Sequence, residues 1–284
     1  MLQLTHTLGD NPCIPSIIGS YFGWKYDEKG VWVNDTWVSL PHFSYGSIDI
    51  DLSYLKSVKK WQVRSLIPLS EHVYTDKILS VLSLEKSTEV QFTGFTSNLR
   101  RKIRKSIKSG VKIQKGGNEL LDDFYKIYFQ NTHRLGSPVL AKSFFQYIID
   151  HYTGGEAKIF CAYFNRKIVG AGILLTYRDF SENTWFATLR SMDKYYISSL
   201  LHWEMICYSI QQKCRFYSFG RSTSNSGVHR FKQQWNTQDI PLYWSYSHSS
   251  KLDIRKVHIL KTLWKLLPLS IARFLGPFFA KRIY

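Results

Sequence analysis

The chain has 284 residues, of which 44% are hydrophobic and 16% aromatic. That composition excludes a disordered chain and suits one large domain or two small ones around a real core. The formal net charge of +17 is not needed by any fold and points to an anionic partner, whether phosphate, nucleic acid or a membrane surface.

Residues 1–96 are weakly patterned. The N-terminus MLQLTHTLGDNP lacks the basic start and apolar stretch of a signal peptide. VWVNDTWVSL reads as two short strands around a turn at Asn34-Asp35. PHFSYGS reads as a turn carrying exposed aromatics. WQVRSLIPL, from Trp61, alternates like a strand, and TEVQFTGF reads as a further strand ending near Gly94.

SNLRRKIRKSIKSG changes character sharply. Ser97 or Asn98 can cap a helix whose Leu99, Ile103 and Ile107 form one narrow apolar stripe. Arg100, Arg101, Lys102, Arg104, Lys105 and Lys108 cover the rest, and Gly110 is a natural stop. Charge runs are usually solvated, but this one is dense and of a single sign, which favours a phosphate-binding face.

A regular order follows. VKIQ is a short strand, ELLDDFYKIYFQNTHRLG a helix and KSFFQYIIDHY a second helix ending before Gly154-Gly155. KIFCAYF and IVGAGILLTY form a hairpin about Asn165-Arg166-Lys167, and NTWFATL is a third strand. SSLLHWEMICYSIQQ is a helix, RFYSFG a strand, SGVHRFKQQW a short helix and PLYWSY a final strand. From Val111 to Tyr246 the order is β-α-α-β-β-β-α-β-α-β. The tail, 251–284, mixes Lys and Arg with Ile, Leu, Phe and Trp and is broken by Pro268 and Pro277. It can lie on an anionic membrane surface or pack as a helix pair.

Cys13, Cys161, Cys207 and Cys214 contain no CxxC pair, and no His/Cys/Asp/Glu cluster has metal-ligand spacing. Cys161, in an apolar run, and Cys207, in a helical pattern, read as buried free thiols. No apolar run reaches membrane-spanning length. The expectation is a reducing, cytoplasmic protein, with a peripheral contact to the inner membrane open to its tail.

The ordered segments NLRRKIRKSIKSGVKI, HRLGSPV followed by FF, NRKIVGAGILL, SLLHWEMI, YSFGRSTSNSGVHRFKQQW and PLYWSY fall within residues 97–246. Together they resemble the FemAB-related acyltransferases, including the peptidoglycan-bridge class and members associated with PEP-CTERM and exopolysaccharide genes. The resemblance implies an α/β (α+β mixed-sheet) GNAT-like fold, in tandem. Residues 1–96 would be a shortened, degenerate first unit, 97–248 a complete GNAT-like domain and 249–284 a basic amphipathic tail. Against the family the chain is expected to be shortened ahead of HFSYGS. The usual GNAT coenzyme loop, Q/R-x-x-G-x-G/A, is missing, and Arg190 to Ser199 stand in its place. The implied activity is acyl or aminoacyl transfer to an amino group of a peptidoglycan- or polysaccharide-linked envelope precursor. The donor would be acyl-CoA or aminoacyl-tRNA, with no bound cofactor and no metal. The alternative is a non-catalytic protein binding RNA or anionic lipid on a GNAT scaffold, although no RNA-binding motif is present.

Acyl transfer needs an amine that loses its proton, a carbonyl that can be approached and a stabilised oxyanion. FGRSTSNSGVHRFK is the best candidate: a strand ends at Gly220, the loop carries Arg221, and a helix carries Arg230 and Lys232. By resemblance Lys232 aligns with the family's FK pair. Lys232 would stabilise charge, with Arg221 and Arg230 holding the donor. Ser198 and Ser199 would cap the SSLLHWEM helix and offer its N–H groups to the donor's phosphate. Glu204 is a candidate base if desolvated, though a salt bridge explains it as well. His202 and His229 are weaker. Arg100, Arg101 and Arg104 would bind donor phosphates. Tyr45, Asn131, His133, Arg134, Ser137 and Trp185 would line the acceptor groove, although a core role suits Trp185 too.

Overall fold

The computed structural model describes residues 4–248 and 254–281, with side chains from 260 onward in the second segment. The first segment of the chain supplies α1 (Cys13–Phe22), β1 (Val31–Val33), β2 (Thr36–Val38), α2 (Leu52–Ser57), β3 (Trp61–Ser65) and β4 (Val73–Ser83). Next come α3 (Thr88–Gly94), α4 (Ser97–Lys108), β5 (Lys112–Gly116), α5 (Leu121–Leu135) and α6 (Lys142–His151). The central strands are β6 (Ala157–Phe164), β7 (Lys167–Tyr177) and β8 (Phe180–Thr188), followed by α7 (Ile197–Gln211). The chain then forms β9 (Phe216–Thr223), α8 (Gly227–Gln233), β10 (Gln238–Tyr246), α9 (Ile254–Leu266) and α10 (Leu269–Ala280).

All ten strands join one mixed sheet in the order β1-β2-β3-β10-β4-β9-β8-β7-β6-β5. The strand and helix order expected from Val111 to Tyr246 is present, and the fold is the expected mixed α/β one. The hairpin between β6 and β7 turns at Asn165 and Arg166, both with positive φ (49° and 61°), as a twist-matched two-residue turn requires. β7 is buried along nearly its whole length because helices cover both faces. α5, α6 and α1 pack over one core and α4, α7 and α8 over the other. Gly172 permits the close approach of α7, since a Cβ there would lie 2.7 Å from Met205 Cε.

Several expectations need correction. Thr88–Gly94 is a helix and not a strand: Ser87 caps it by accepting from the Val90 N–H, and the Gln91 side chain ties back to Glu85 N–H. Its apolar alternation misled because Val90 faces solvent. The cap of α4 is Thr96, not Ser97 or Asn98. Ile107 is 52% exposed, so only Leu99 and Ile103 of the stripe are buried. Phe43 and Tyr45 are buried, not exposed. The chain passes through positive φ at Leu40 and His42, and PHFSYGS tucks into the core. Cys161 is buried and Cys207 half-buried; both are free thiols.

Candidate functional site

β8 and β9 run parallel and pair only at Phe180–Phe216, Ser181–Tyr217 and Glu182–Ser218. Beyond Glu182 they part, and a cleft of about 1030 Å³ opens between them. The free edge of β8, from Asn183 to Thr188, forms one wall. Its backbone N–H and C=O groups there have no strand partner on that side. β9 forms the other wall through Phe219, Gly220 and Arg221, and α8 closes it with Val228, Phe231 and Lys232. The end of α5 supplies Tyr128, Asn131, Arg134 and Leu135.

The β9 wall is shaped by a bulge. Leu79 pairs with Arg221 and Val81 with Ser218, so Phe219 and Gly220 oppose Ser80 alone. Gly220 takes φ +67°, with Asn183 O 3.3 Å from where a Cβ would sit, which turns Arg221 toward the cleft. The bulge also presents two carbonyls to α8. The Lys232 ammonium donates to Gly220 O at 2.6 Å and to Arg221 O at 3.0 Å. An ammonium has three donors, so one remains for a group in the cleft. Lys232 is only 5% exposed, and this burial pushes its pKa down, against the opposing fields of Glu182 and Asp239.

Beneath Ser44 lies Glu182, 1% exposed. It accepts from Ser44 Oγ at 3.0 Å and Ser218 Oγ at 2.9 Å. Burial pushes its pKa up despite those bonds and the nearby Lys232 and Arg221 charges. Arg64, equally buried, donates to Phe43 O at 2.8 Å and stacks 4.6 Å from the Trp244 ring centroid. Arg221 lies 5.2 Å from the same ring, and Arg64 is driven down to about 9 by burial and by Arg221. Among the described residues no carboxylate is ion-paired with Arg64, Arg221 or Lys232. His42, in the cleft wall, is kept neutral by burial and by both arginines, with its pKa lowered to about 3. His42 Nε2 and Asn183 Oδ1 are buried without a hydrogen-bond partner. A cationic floor with unpaired polar atoms is suited to an anionic, hydrogen-bonding ligand.

The structure gathers some of the sequence candidates and separates others. Lys232, Arg221, Asn131, Arg134, Trp185 and Ser198 line the cleft. Trp185 also packs on Phe43, Phe144 and Phe145, so it is both core and wall. Ser198 and Ser199 do not cap α7; Tyr196, in a left-handed conformation, precedes it. Ser198 bonds Thr188 Oγ1 and Ser199 is buried. Glu204 is half-buried on α7, where burial raises its pKa and Lys115 lowers it; it does not line the cleft. Tyr45 is buried and does not line the cleft. His133 turns away to Leu267 O at 3.0 Å, and Ser137 closes the end of α5 through its N–H to Thr132 O. Arg230 is exposed and bonds Asn225 O.

Arg100, Arg101 and Arg104 lie on α4, which packs against α7 beside the turn 190–195. His202 stacks on Phe186 and bonds Tyr217 OH, and His229 pairs with Asp239. Sequence reasoning missed Glu182, Ser44, His42 and Arg64. Only Glu182 left a signal, as one carboxylate inside the apolar strand FSENTWF. Among the described residues no group of side chains could hold a metal ion.

A mixed sheet split between two parallel strands, with a helix following each of them, defines a GNAT-type acyltransferase fold. Residues 94–233 match the acetyltransferase (GNAT) domain family. UDP-N-acetylmuramoylpentapeptide-lysine N(6)-alanyltransferase of Weissella viridescens is 27% identical over 151 residues, 51% of this chain and 44% of that protein. The match thus spans less than half of that relative. The crystal structure of FemX superposes with a TM-score of 0.56 at 12% identity, covering 74% of this chain and 76% of FemX. L-PGS from Bacillus licheniformis superposes at 0.60 and 13% identity, covering 89% and 93%. Residues 94–233 therefore form a GNAT acetyltransferase domain, in a chain that is similar to that alanyltransferase over about half its length and to FemX in fold.

Proposed function

We propose that the protein is an acyl- or aminoacyl-transferase that forms an amide on an amino group of a peptidoglycan- or polysaccharide-linked precursor, at the cytoplasmic face of the inner membrane. The observation that carries this reading is Lys232: a buried ammonium, held by two carbonyls, with one donor left for the split between β8 and β9. Similarity to an alanyltransferase that acts on a lysine of a muramoyl pentapeptide supports an amine acceptor. The donor is an aminoacyl-tRNA ester or an acyl-CoA thioester, and its anionic part is held by Arg221 over Trp244.

The acceptor amine attacks the donor carbonyl; the C–N bond forms and the ester C–O or thioester C–S bond breaks. Lys232 meets the oxyanion, already in place and so with little reorganisation. The proton lost by the amine passes through Ser44 Oγ to Glu182, and Glu182 returns it by the same route to the leaving oxygen or sulfur. The test is transfer to amine acceptors from a panel of aminoacyl-tRNAs and acyl-CoAs. Lys232→Ala should lower turnover about a hundredfold or more and donor affinity far less, while Arg221→Ala should mainly raise the donor KM. Lys232→Arg should restore turnover only in part, because its charge is spread over a broader head. Wild-type turnover in Lys232→Ala would defeat the assignment.

A further inference from the structure

The helical hairpin of α9 and α10 carries the most exposed large apolar side chains among the described residues. Phe274 is 84% exposed, Leu266 76% and Leu260 65%. Leu263, Leu269 and Ile271 are also exposed, at 45–56%. The inner surface is accounted for. Trp264 and Leu267 pack on the core, and Ala272, Gly276 and Ala280 are buried at four-residue spacing, with a Cβ at Gly276 only 3.1 Å from Val139 O. The outer apolar side chains are thus surplus to packing.

Charge identifies what covers them. Residues 254–281 include Arg255, Lys256, Lys261, Lys265, Arg273 and Lys281, and neither Asp nor Glu. Lys261 and Lys265 are exposed, while Arg273, over the Tyr125 ring, and Lys281, which donates to Phe22 O, add positive charge where the hairpin meets the body. A second copy of so cationic a surface would be repelled. An apolar face rimmed with cations alone complements lipid tails beneath anionic headgroups. No helix among the described residues is long and apolar enough to cross a membrane, so the geometry is that of an element lying on the surface.

We infer that the α9–α10 hairpin docks the protein on an anionic bilayer surface and brings the cleft to a lipid-carried acceptor. The second part rests on the transferase reading; the docking does not. The hairpin adjoins the cleft through the end of α5, where His133 bonds Leu267 O between the two helices. Asn131, Arg134 and Leu135, one turn of the same helix, line the cleft. Docking therefore sets the α5 rim of the cleft close to the headgroups.

The experiment is sedimentation of the full chain with vesicles of phosphatidylcholine alone or with about 30% phosphatidylglycerol. The wild type should bind the anionic vesicles about tenfold or more tightly than the neutral ones, and lose binding in high salt. Leu260→Ser, Leu266→Ser and Phe274→Ser combined should weaken binding by about tenfold, with an unchanged melting temperature and unchanged turnover of a soluble acceptor. Wild-type protein left in the supernatant, or a triple variant that binds as well as wild type, overturns the docking. So does a wild-type dimer that the variant breaks without any vesicle binding, which would assign the face to a second copy. So does loss of tRNA binding in the variant when the wild type ignores vesicles. Absence of turnover in both proteins, with vesicle binding intact, would overturn the transferase reading and leave the docking standing.

Discussion

Glu182 and Lys232 are both buried at the split between β8 and β9, and burial moves their proton affinities toward each other. Glu182 is raised from 4.5 to about 7, and Lys232 is lowered from 10.5 to about 7. In the proposed reaction Glu182 must be ionised to take a proton and Lys232 charged to meet the oxyanion. Activity through Glu182 rises with pH toward and past 7; activity through Lys232 falls above it. The two together give a narrow bell in kcat/KM with its top near pH 7. Lys232→Arg should remove the alkaline limb, since a guanidinium stays charged, and keep the acid limb. Glu182→Gln should abolish the acid limb, lower the rate and draw the alkaline limb to lower pH, because the carboxylate that raises the Lys232 pKa is gone. A flat pH–rate profile in the wild type would remove both roles. Stability follows the same shifts with opposite signs. Glu182 contributes stability below pH 4.5 that is lost as pH rises through about 7. Lys232 contributes stability above 10.5 that is lost as pH falls through about 7. Of these groups the sequence exposed Lys232 and Arg221, because a strand, a loop and a helix set them eleven residues apart. It hid His42, which lines the cleft, and Arg64, which is buried against Phe43 and Trp244, because both come from a distant, weakly patterned segment.

Among the elements, α4 shows how far a charge run can be read. Its helix is where the periodicity placed it, and Leu99 and Ile103 bury its stripe. Its cations differ in their surroundings. Arg101 bonds Asn98, Arg104 covers the Phe92 ring at 5.2 Å, and Lys105 covers Tyr196, the residue before α7, at 5.2 Å. Arg100 is half-buried with its Nε unpartnered, so its loss would also disturb packing. The exposed set is therefore the one to vary. Arg101→Gln, Arg104→Gln and Lys108→Gln together should weaken binding of a tRNA or CoA donor. They should also flatten its dependence on salt, the log–log slope falling by about one for each phosphate the helix no longer neutralises. The melting temperature should stay within a few degrees of wild type. A fall in melting temperature with donor binding intact would make α4 a packing helix only. By contrast the sequence pattern misreads α3 as a strand, because seven residues with two apolar side chains fit either period. What decides there is the Ser87 cap and the Gln91 side-chain bond, which periodicity does not carry.

At the scale of the whole molecule, residues 1–96 and 97–248 share one sheet. β4, from the first segment, lies between β9 and β10 of the second and pairs antiparallel with both, over Lys77–Ser83 on one side and Val73–Val81 on the other. β10 in turn pairs with β3. Local pattern reveals neither partner. β4 runs from exposed to buried along its length, so it has no clean alternation, and strand neighbours distant in the chain leave no local trace. The physical consequence is specific. Without β4, the inner edges of β9 and β10 would lose their ladder bonds together, Leu79 and Val81 would leave the core, and the bulge that aims Arg221 would have no opposing strand. Buried backbone groups without partners cost about 1–3 kcal/mol each, and burying a Leu or Val contributes about 1.5–3 kcal/mol, against a typical domain stability of about 5–15 kcal/mol. Residues 97–248 produced alone should therefore show no cooperative thermal transition and no donor binding. Co-expression of 1–96 as a separate chain should restore both, since β4 can pair in trans. A cooperative melt from 97–248 alone would show that the GNAT domain folds without the first segment, and the bulged wall of the cleft would then need another support.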